Sequence, residues 1–468
     1  MAIATIDPTT GKTLQTFVSL TAQELEERLR LAEETFRTFR HTHLADRKRW
    51  LARAAELLET EADRFGRIMT EEMGKPFEAA KAESQKCALA CRYYVEHGEE
   101  FLRDEAIDVG GDRSYVRYQP LGPVLAIMPW NFPFWQVLRF AAPALMGGNV
   151  GLLKHAHNVP RSAIALEEQF LRAGFPKGAF QTLLIETGDI PRVIDDPRVK
   201  AVTLTGSEGA GRAVGSQAGK ALKKVVLELG GSDPFIVMPS AKLELAVETA
   251  VKARLINNGQ SCIAAKRFIV HESIYPEFER RFVERMRRAV VGDPMDAKTE
   301  VGPLATASIR QGLHAQVEKS VEAGTKLLLG GTLPSGPGNY YPPTVLTDVA
   351  PGSPAEREEM FGPVAVLFKA RSVEHAIELA NDSPFGLGAS VWTHDEAEAR
   401  RFIDGVESGM VFVNQMVVSD PRLPFGGVKN SGHGRELARH GLREFLNAKT
   451  VRISSGTVAP PTQASANE

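Results

Sequence analysis

The chain has 468 residues, too many for one ordinary hydrophobic core, so two or three domains are expected. Its 56 basic and 58 acidic residues leave a net charge of −2 with no basic block, which removes electrostatic support for nucleic-acid or anionic-membrane binding. A hydrophobic fraction of 43% with 24% charged residues is a globular composition, and three cysteines are too few for a disulfide framework, in keeping with a cytoplasmic protein. Residues 1–16 are polar and lack the charged-then-apolar order of a secretory leader. The most apolar region, residues 124–153, is cut by Pro129, Pro133, Arg139 and Pro143, which excludes a membrane-spanning helix there.

In chain order, Thr21-Ala22-Gln23-Glu24 is a capping-box pattern opening a helix with Leu25, Leu29, Ala32, Phe36 and Phe39 on one side. A second helix is expected from about Asp46 to Met73, stopping at Gly74-Lys75-Pro76, and a third from Phe77 to about Leu102, making the opening all-helical. Cys87 and Cys91 lie about one turn apart on that third helix; with no second ligand pair nearby they read as packing, not metal ligands. The pattern then changes. Residues 115–119 alternate like a strand, 124–128 form a buried apolar run, and a helix follows Pro133. Strands at 150–153, 180–185, 199–204 and 225–229 enclose a helix at 161–173. The rhythm repeats with strands at 235–238, 268–270, 364–368 and 410–413 and helices at 243–256 and 275–290. Short β-runs alternating with helices imply parallel strands with crossover connections, an α/β fold of two doubly wound sheets. Such sheets bind ligands beyond the carboxyl ends of their strands. Residues 454–468, rich in Ser, Pro and Ala, read as a disordered tail.

Six stretches carry residues suited to chemistry. Cys262, in Asn257-Asn258-Gly259-Gln260-Ser261-Cys262, sits between a helix and an apolar strand, where a cysteine is either a presented nucleophile or a small buried thiol. Thr205-Gly206-Ser207 ends a strand and, with Gly209, Gly211 and Gly215, opens a helix whose N–H groups favour a phosphate, or simply makes a tight turn. Glu228 precedes Gly230-Gly231 and is either an accessible general base or a solvated strand-end residue. Pro129-Trp130-Asn131-Phe132-Pro133 joins a strand to a helix, where the Asn131 amide can donate to a developing oxyanion. Glu359-Met360-Phe361-Gly362-Pro363 and Pro424-Phe425-Gly426-Gly427 are further turns bearing an aromatic ring.

Taken in this order, with Lys154, Asn414 and Ser431-Gly432-His433-Gly434-Arg435-Glu436, these segments resemble the aldehyde dehydrogenase family from about Asp7 to Ile453. The resemblance implies an enzyme that oxidises a small-molecule aldehyde with NAD or NADP. Cys262 would attack the carbonyl as a thiolate, with the Asn131 amide and the Cys262 N–H holding the oxyanion. Glu228 would then activate the water that hydrolyses the thioester left after hydride transfer. The resemblance also implies Lys154 and His157 at the adenosine ribose and Gly206, Ser207 and Gly211 at the pyrophosphate. Glu359 would hold the nicotinamide ribose with Phe361 against it, and Trp130 and Leu229 would border the cofactor cleft. It implies a cofactor domain of residues 1–112 and 120–230, a catalytic domain of 231–430, and an oligomerisation element of 113–119 with 446–453 in a homodimer or homotetramer.

Within the family, Lys154-His155-Ala156 and the run from Ser419 to Gly427 resemble the short bacterial succinate-semialdehyde dehydrogenases. Arg139 stands where those enzymes use an arginine for the substrate carboxylate, a group that a guanidinium binds bidentately; otherwise it bridges two helices. A second arginine that some members carry is Ile256 here, so Gln136, Ser419 and Phe425 join Arg139 as substrate-side residues. Looser specificity for other aliphatic or aromatic aldehydes is the alternative. His157 occupies the place of a glutamate that NAD-preferring members use, leaving nothing anionic to repel a 2′-phosphate, so NADP is expected, alone or alongside NAD. Two rivals remain. A CoA-acylating relative generally lacks the base that Glu228 would supply, and an inactive structural or binding protein on the same fold would have no need of Cys262, Glu228 and Asn131.

Overall fold

The computed structural model describes residues 3–110 and 113–454. The tail assigned to residues 454–468 lies outside them except for Ser454. Two open sheets organise the chain. The first runs, edge to edge, Gly432–His433, Lys224–Glu228, Ala201–Thr205, Pro123–Met128, Val150–His155 and Phe180–Thr182. Its strands are parallel except Gly432–His433, which comes from the far end of the chain and pairs antiparallel with Glu228 and Leu227. Every residue of Val150–His155 and Ala201–Thr205 is buried, as strands covered on both faces require. The helix Trp135–Met146 is likewise buried at all its positions, with Pro143 within it.

The second sheet runs Lys326–Leu329, Thr344–Thr347, Val364–Ala370, Arg267–His271, Pro234–Val237, Gly388–Trp392 and Met410–Val413. Only its edge strand Lys326–Leu329 is antiparallel. A third, three-stranded sheet pairs Arg113–Pro120 with Leu446–Ile453 along their whole length, from Leu446 opposite Pro120 to Ile453 opposite Arg113, and adds Glu105–Ala106. Among the described residues no helix is long and apolar enough to cross a membrane.

Two features differ from the sequence expectation. The opening is not all helix, because Ile3–Ile6 and Thr13–Phe17 form an antiparallel hairpin. Thr13–Phe17 is largely exposed and held by backbone pairing, so it carries no apolar period to read. The helix expected over 46–73 is two, Leu44–Thr60 and Ala62–Met73, broken at Glu61 (φ −106°, ψ 21°), where neither Gly nor Pro marks the break.

The hairpin is anchored by one buried carboxylate. Glu72 accepts from Thr5 Oγ1 at 2.7 Å, from the N–H groups of Arg161 (2.8 Å) and Ser162 (2.9 Å), and from Ser162 Oγ (2.7 Å). The last three belong to the first turn of the helix Pro160–Arg172, where backbone donors lack intrahelical partners and favour a negative charge. Glu72 thereby fixes the segment that follows Lys154 and His157. Replacing Glu72 with Ala strands these donors in the interior and is expected to cost about 3 kcal/mol or more. Urea unfolding measures this, and a loss under about 1 kcal/mol would contradict it.

Candidate active site

Cys262 is carried by an unusual stretch of backbone. After the helix Leu243–Leu255, Asn257 (φ 55°), Asn258 (φ 60°) and Gly259 (φ 74°) are consecutive residues in the left-handed region. Each asparagine there costs on the order of 1 kcal/mol, so the surroundings must hold it. Asn257 Nδ2 donates to the carbonyls of Asn131 (2.7 Å) and Gln260 (3.0 Å). Asn258 Nδ2 donates to the carbonyls of Gly74 (2.9 Å) and Pro303 (3.0 Å), while its Oδ1 accepts from Gly302 N. The fully buried Arg254 donates to Gly259 O at 2.6 Å. A Cβ on Gly259 would lie 2.6 Å from Pro363 N and collide with Gly362, so the Glu359–Pro363 turn is seated directly on the cysteine loop. Lys266 closes the arrangement, donating to the carbonyls of Ser261 (2.8 Å) and Cys262 (2.7 Å) and reaching Glu359 Oε1 at 3.1 Å.

Asn131 faces this loop from the first sheet. Its Nδ2 donates one hydrogen to Gln260 O at 3.0 Å, and its Oδ1 accepts from Gln136 Nε2 at 3.0 Å, which leaves the second amide hydrogen for a ligand. Gln136 lines the cavity beside Cys262, as expected of a substrate-side residue, but its side chain also sets the orientation of the Asn131 amide. The turn after Asn131 is held by Glu83, whose Oε1 accepts from the N–H groups of Phe134 and Trp135, both at 2.9 Å. Lys75 pairs with the other oxygen of Glu83 and lies 4.2 Å from the centre of the Phe132 ring. Neither residue was singled out from the sequence, where both sit in helical or turn patterns with no motif.

Glu228 ends its strand buried, and neither carboxylate oxygen has a hydrogen-bond partner among the described residues. The Pro424–Gly427 turn roofs it. Gly426 has φ +153°, and a Cβ there would stand 2.7 Å from Glu228 Oε1. Burial, and then the neighbouring Glu436 carboxylate, push the Glu228 pKa well up. Burial also raises that of Glu436. Arg139 stands beside them with Nε 2.8 Å from Glu436 Oε2, but the N–H is not aimed at that oxygen, so this is a contact of charges rather than a directed hydrogen bond. Its guanidinium carbon lies 4.5 Å above the Phe425 ring. Arg139, expected either to bind a substrate carboxylate or to bridge two helices, lines the cavity at Cys262 and also stands against an acid that comes from 297 positions further along the chain.

A cavity of about 240 Å³ opens at Cys262. Arg139, Gln136, Ser419, Phe425 and Ile256 line it, as do Lys75, Glu83 and Lys86 from outside the sequence motifs. Cys262 is part-exposed to this space. Burial pushes its thiol up to about 12, with Arg139 and Lys266 pulling the other way, so the resting group is a thiol.

Of the remaining predicted residues, Trp130, Lys154, His157, Gly206, Ser207, Gly211 and Leu229 lie at or just beyond the carboxyl ends of the first sheet, and Glu359 and Phe361 in the turn before Val364–Ala370 of the second. Ser207 caps the helix Glu208–Lys220, its Oγ accepting from Ala210 N at 3.4 Å, and Gly206 N donates to Glu228 O at 2.9 Å. Gly211 and Leu229 are packed on each other, for a Cβ on Gly211 would lie 2.5 Å from Leu229 Cδ1. Trp130 meets Phe361 edge-on at 5.8 Å. Glu359 accepts from Gly231 N at 3.2 Å. Lys154 is buried without a hydrogen-bond or ion-pair partner among the described residues, and His157 beside it is half-buried. Burial lowers both pKa values, that of His157 with help from Lys154. Two basic groups with no acid between them fit an anionic ligand group. Among the described residues no cluster of acids, histidines or cysteines could hold a metal.

The family model described as the aldehyde dehydrogenase family matches residues 1–451, and the chain belongs to that family. It is similar to the "Succinate-semialdehyde dehydrogenase [NADP(+)] 1" of Mycobacterium tuberculosis, at 55% identity over 97% of this chain and 100% of that protein. The same identity and 97% and 100% coverage relate it to the "Probable succinate-semialdehyde dehydrogenase [NADP(+)]" of a Synechocystis species. Among solved structures, succinic semialdehyde dehydrogenase from Streptococcus pyogenes in complex with NADP+ superposes with a TM-score of 0.95 at 38% identity, covering 97% of this chain and 100% of that one.

Two measurements follow from the cysteine loop. In the free enzyme, alkylation of Cys262 by iodoacetamide should keep accelerating from pH 7 to pH 10, because the thiolate fraction is still rising; a plateau near pH 8.5 would contradict a raised pKa. Gly259→Ala should destabilise the protein by roughly 2–4 kcal/mol in chemical unfolding, since both backbone angle and space exclude a Cβ.

Proposed function

We propose that the protein oxidises succinate semialdehyde to succinate with NADP+, through a thioester on Cys262. The observation that carries this reading is a cavity lined by Cys262 and basic side chains, in which Gln136 on the wall orients the Asn131 amide and Arg139 on the wall acts on the charge of the buried Glu228. The activity for which these relatives are named supports the substrate and cofactor.

Cys262 Sγ, once deprotonated, adds to the aldehyde carbon and gives a hemithioacetal. The free Asn131 N–H is positioned by Gln136 and Gln260 to stabilise the negative oxygen. The bound nicotinamide supplies the hydride acceptor. Lys154 and His157 would hold the adenosine end, including a 2′-phosphate; Ser207 and Gly206 the pyrophosphate; and Glu359 with Phe361 and Trp130 the nicotinamide end. Glu228 takes the proton from the water that attacks the thioester, and a carboxylate with a raised pKa is a stronger base for it. That carboxylate needs no bond broken to act, because its oxygens are uncommitted. Arg139, Ser419 and Phe425 shape the end of the cavity away from the reacting carbon. The small three-stranded sheet built on Arg113–Pro120 and Leu446–Ile453 supports a homodimer or homotetramer, since a partner chain can extend so short a sheet. A cytoplasmic location agrees with the free thiols.

Steady-state kinetics with succinate semialdehyde and butanal, each with NADP+ and NAD+, test the reading. The carboxylated aldehyde and NADP+ should give the highest kcat/KM. Asn131→Ala should lower kcat by about 10²–10³-fold. Glu228→Gln should retain a burst of one reduced cofactor per active site and then turn over about 10²–10⁴-fold more slowly; loss of the burst would assign Glu228 to an earlier step.

A further inference from the structure

Lys266 lies beneath the cysteine loop rather than in the cavity. It is buried, while Ser261 and Cys262 line the cavity wall, so the loop stands between its ammonium and the substrate space. From there Nζ donates to Ser261 O at 2.8 Å and to Cys262 O at 2.7 Å. These carbonyls belong to consecutive peptide units, and both are thereby turned to the interior. A peptide unit is planar, and no cis bond occurs among the described residues, so the N–H of a unit points opposite to its C=O. The unit that carries Ser261 O also carries the N–H of Cys262. With its oxygen drawn inward by Lys266, that N–H is turned to the side of the cavity, and it has no hydrogen-bond partner among the described residues. A free backbone donor beside the sulfur is the group an oxyanion needs.

The charge on Lys266 matters as well as its reach. A cation on a carbonyl oxygen draws electron density from the amide and makes its N–H a stronger donor, because hydrogen-bonded groups polarise one another in a dry interior. Burial pushes the Lys266 pKa down, and Glu359 Oε1 at 3.1 Å opposes that shift and favours the charged amine. We infer that Lys266 is a positioning residue for the reaction: by fixing and polarising the Ser261–Cys262 peptide it sets the aim and the strength of the backbone donor that joins the Asn131 amide in holding the oxyanion. This rests on the reading of Cys262 as the nucleophile and of Asn131 as an oxyanion donor.

Two reactions of Cys262 in the cofactor-free enzyme separate this role from a change in the thiol itself. In acylation by p-nitrophenyl acetate the sulfur adds to the ester carbonyl, the tetrahedral oxygen carries the charge, and p-nitrophenolate leaves. Alkylation by iodoacetamide displaces iodide at a saturated carbon and forms no oxyanion. Both need the same thiolate, and Cys87 and Cys91 are buried, so both report on Cys262. The ratio of the acylation to the alkylation rate constant therefore isolates oxyanion stabilisation. In Lys266→Met this ratio should fall about 10–100-fold, and in Asn131→Ala, which removes a donor outright, about 10²–10³-fold. Lys266→Gln, which keeps a donor without the charge, should lie between Lys266→Met and the unmodified enzyme, and it carries the test if Lys266→Met does not fold. A ratio within about threefold of the unmodified value in whichever Lys266 variants fold, with Asn131→Ala lowering it, overturns the assignment of Lys266. A ratio that Asn131→Ala leaves unchanged overturns the oxyanion reading, and the assignment with it.

Discussion

The structure depends on the left-handed run Asn257-Asn258-Gly259. Three successive residues in this region turn the chain sharply out of the helix Leu243–Leu255 and aim Cys262 at the cavity. Such a turn does not hold itself. It is stable because Asn257 grips Asn131, Asn258 grips Gly74 and Pro303, and Gly362-Pro363 fits where Gly259 lacks a side chain. The same contacts that relieve the strain bring the oxyanion donor and the Glu359 turn to fixed positions around the thiol. Positioning of the nucleophile and cohesion of the two sheets are thus one set of interactions.

A second organising theme is the spacing of charge in a dry interior. Glu436 is close enough to Glu228 to resist its ionisation, burial opposes the charge on both, and Arg139 beside them favours it. At the opposite wall Lys75 is neutralised by Glu83, which in turn holds the turn after Asn131. Beneath the cysteine loop Lys266 is likewise paired, with Glu359. Reactivity is accordingly latent in the free protein: the thiol rests protonated, and burial raises the pKa of its base.

Much of this was legible in the chain. The α/β rhythm and the elements at 77–102 and 410–413 could be named from periodicity, and Cys262, Asn131, Glu228 and Glu359 because each lies in a motif with a Gly or Pro break beside it; Lys154 came only with the family resemblance. The hairpin Ile3–Ile6 with Thr13–Phe17 could not, because backbone pairing on an exposed surface leaves no periodic trace. Lys75, Glu83 and Lys86 escaped for a different reason. They sit on a helix and its entrance, where a charged residue reads as solvated, and only the packing of that helix against Trp135 and Ser419 turns them inward. The partner of Arg139 was out of reach too, since nothing local links position 139 to Glu436.

The carboxyl-terminal stretch does more than finish the second sheet. Gly432–His433 adds a strand to the first sheet, Ser431 bridges Gly230 and Gly386, and Glu436 completes the charge set around Glu228. During synthesis, Cys262 leaves the ribosome long before these residues exist. The nascent chain therefore carries an exposed thiol without its base in place, and chemical competence arrives only when the last tenth of the protein folds back. Such long-range closure makes folding slow and strongly non-local.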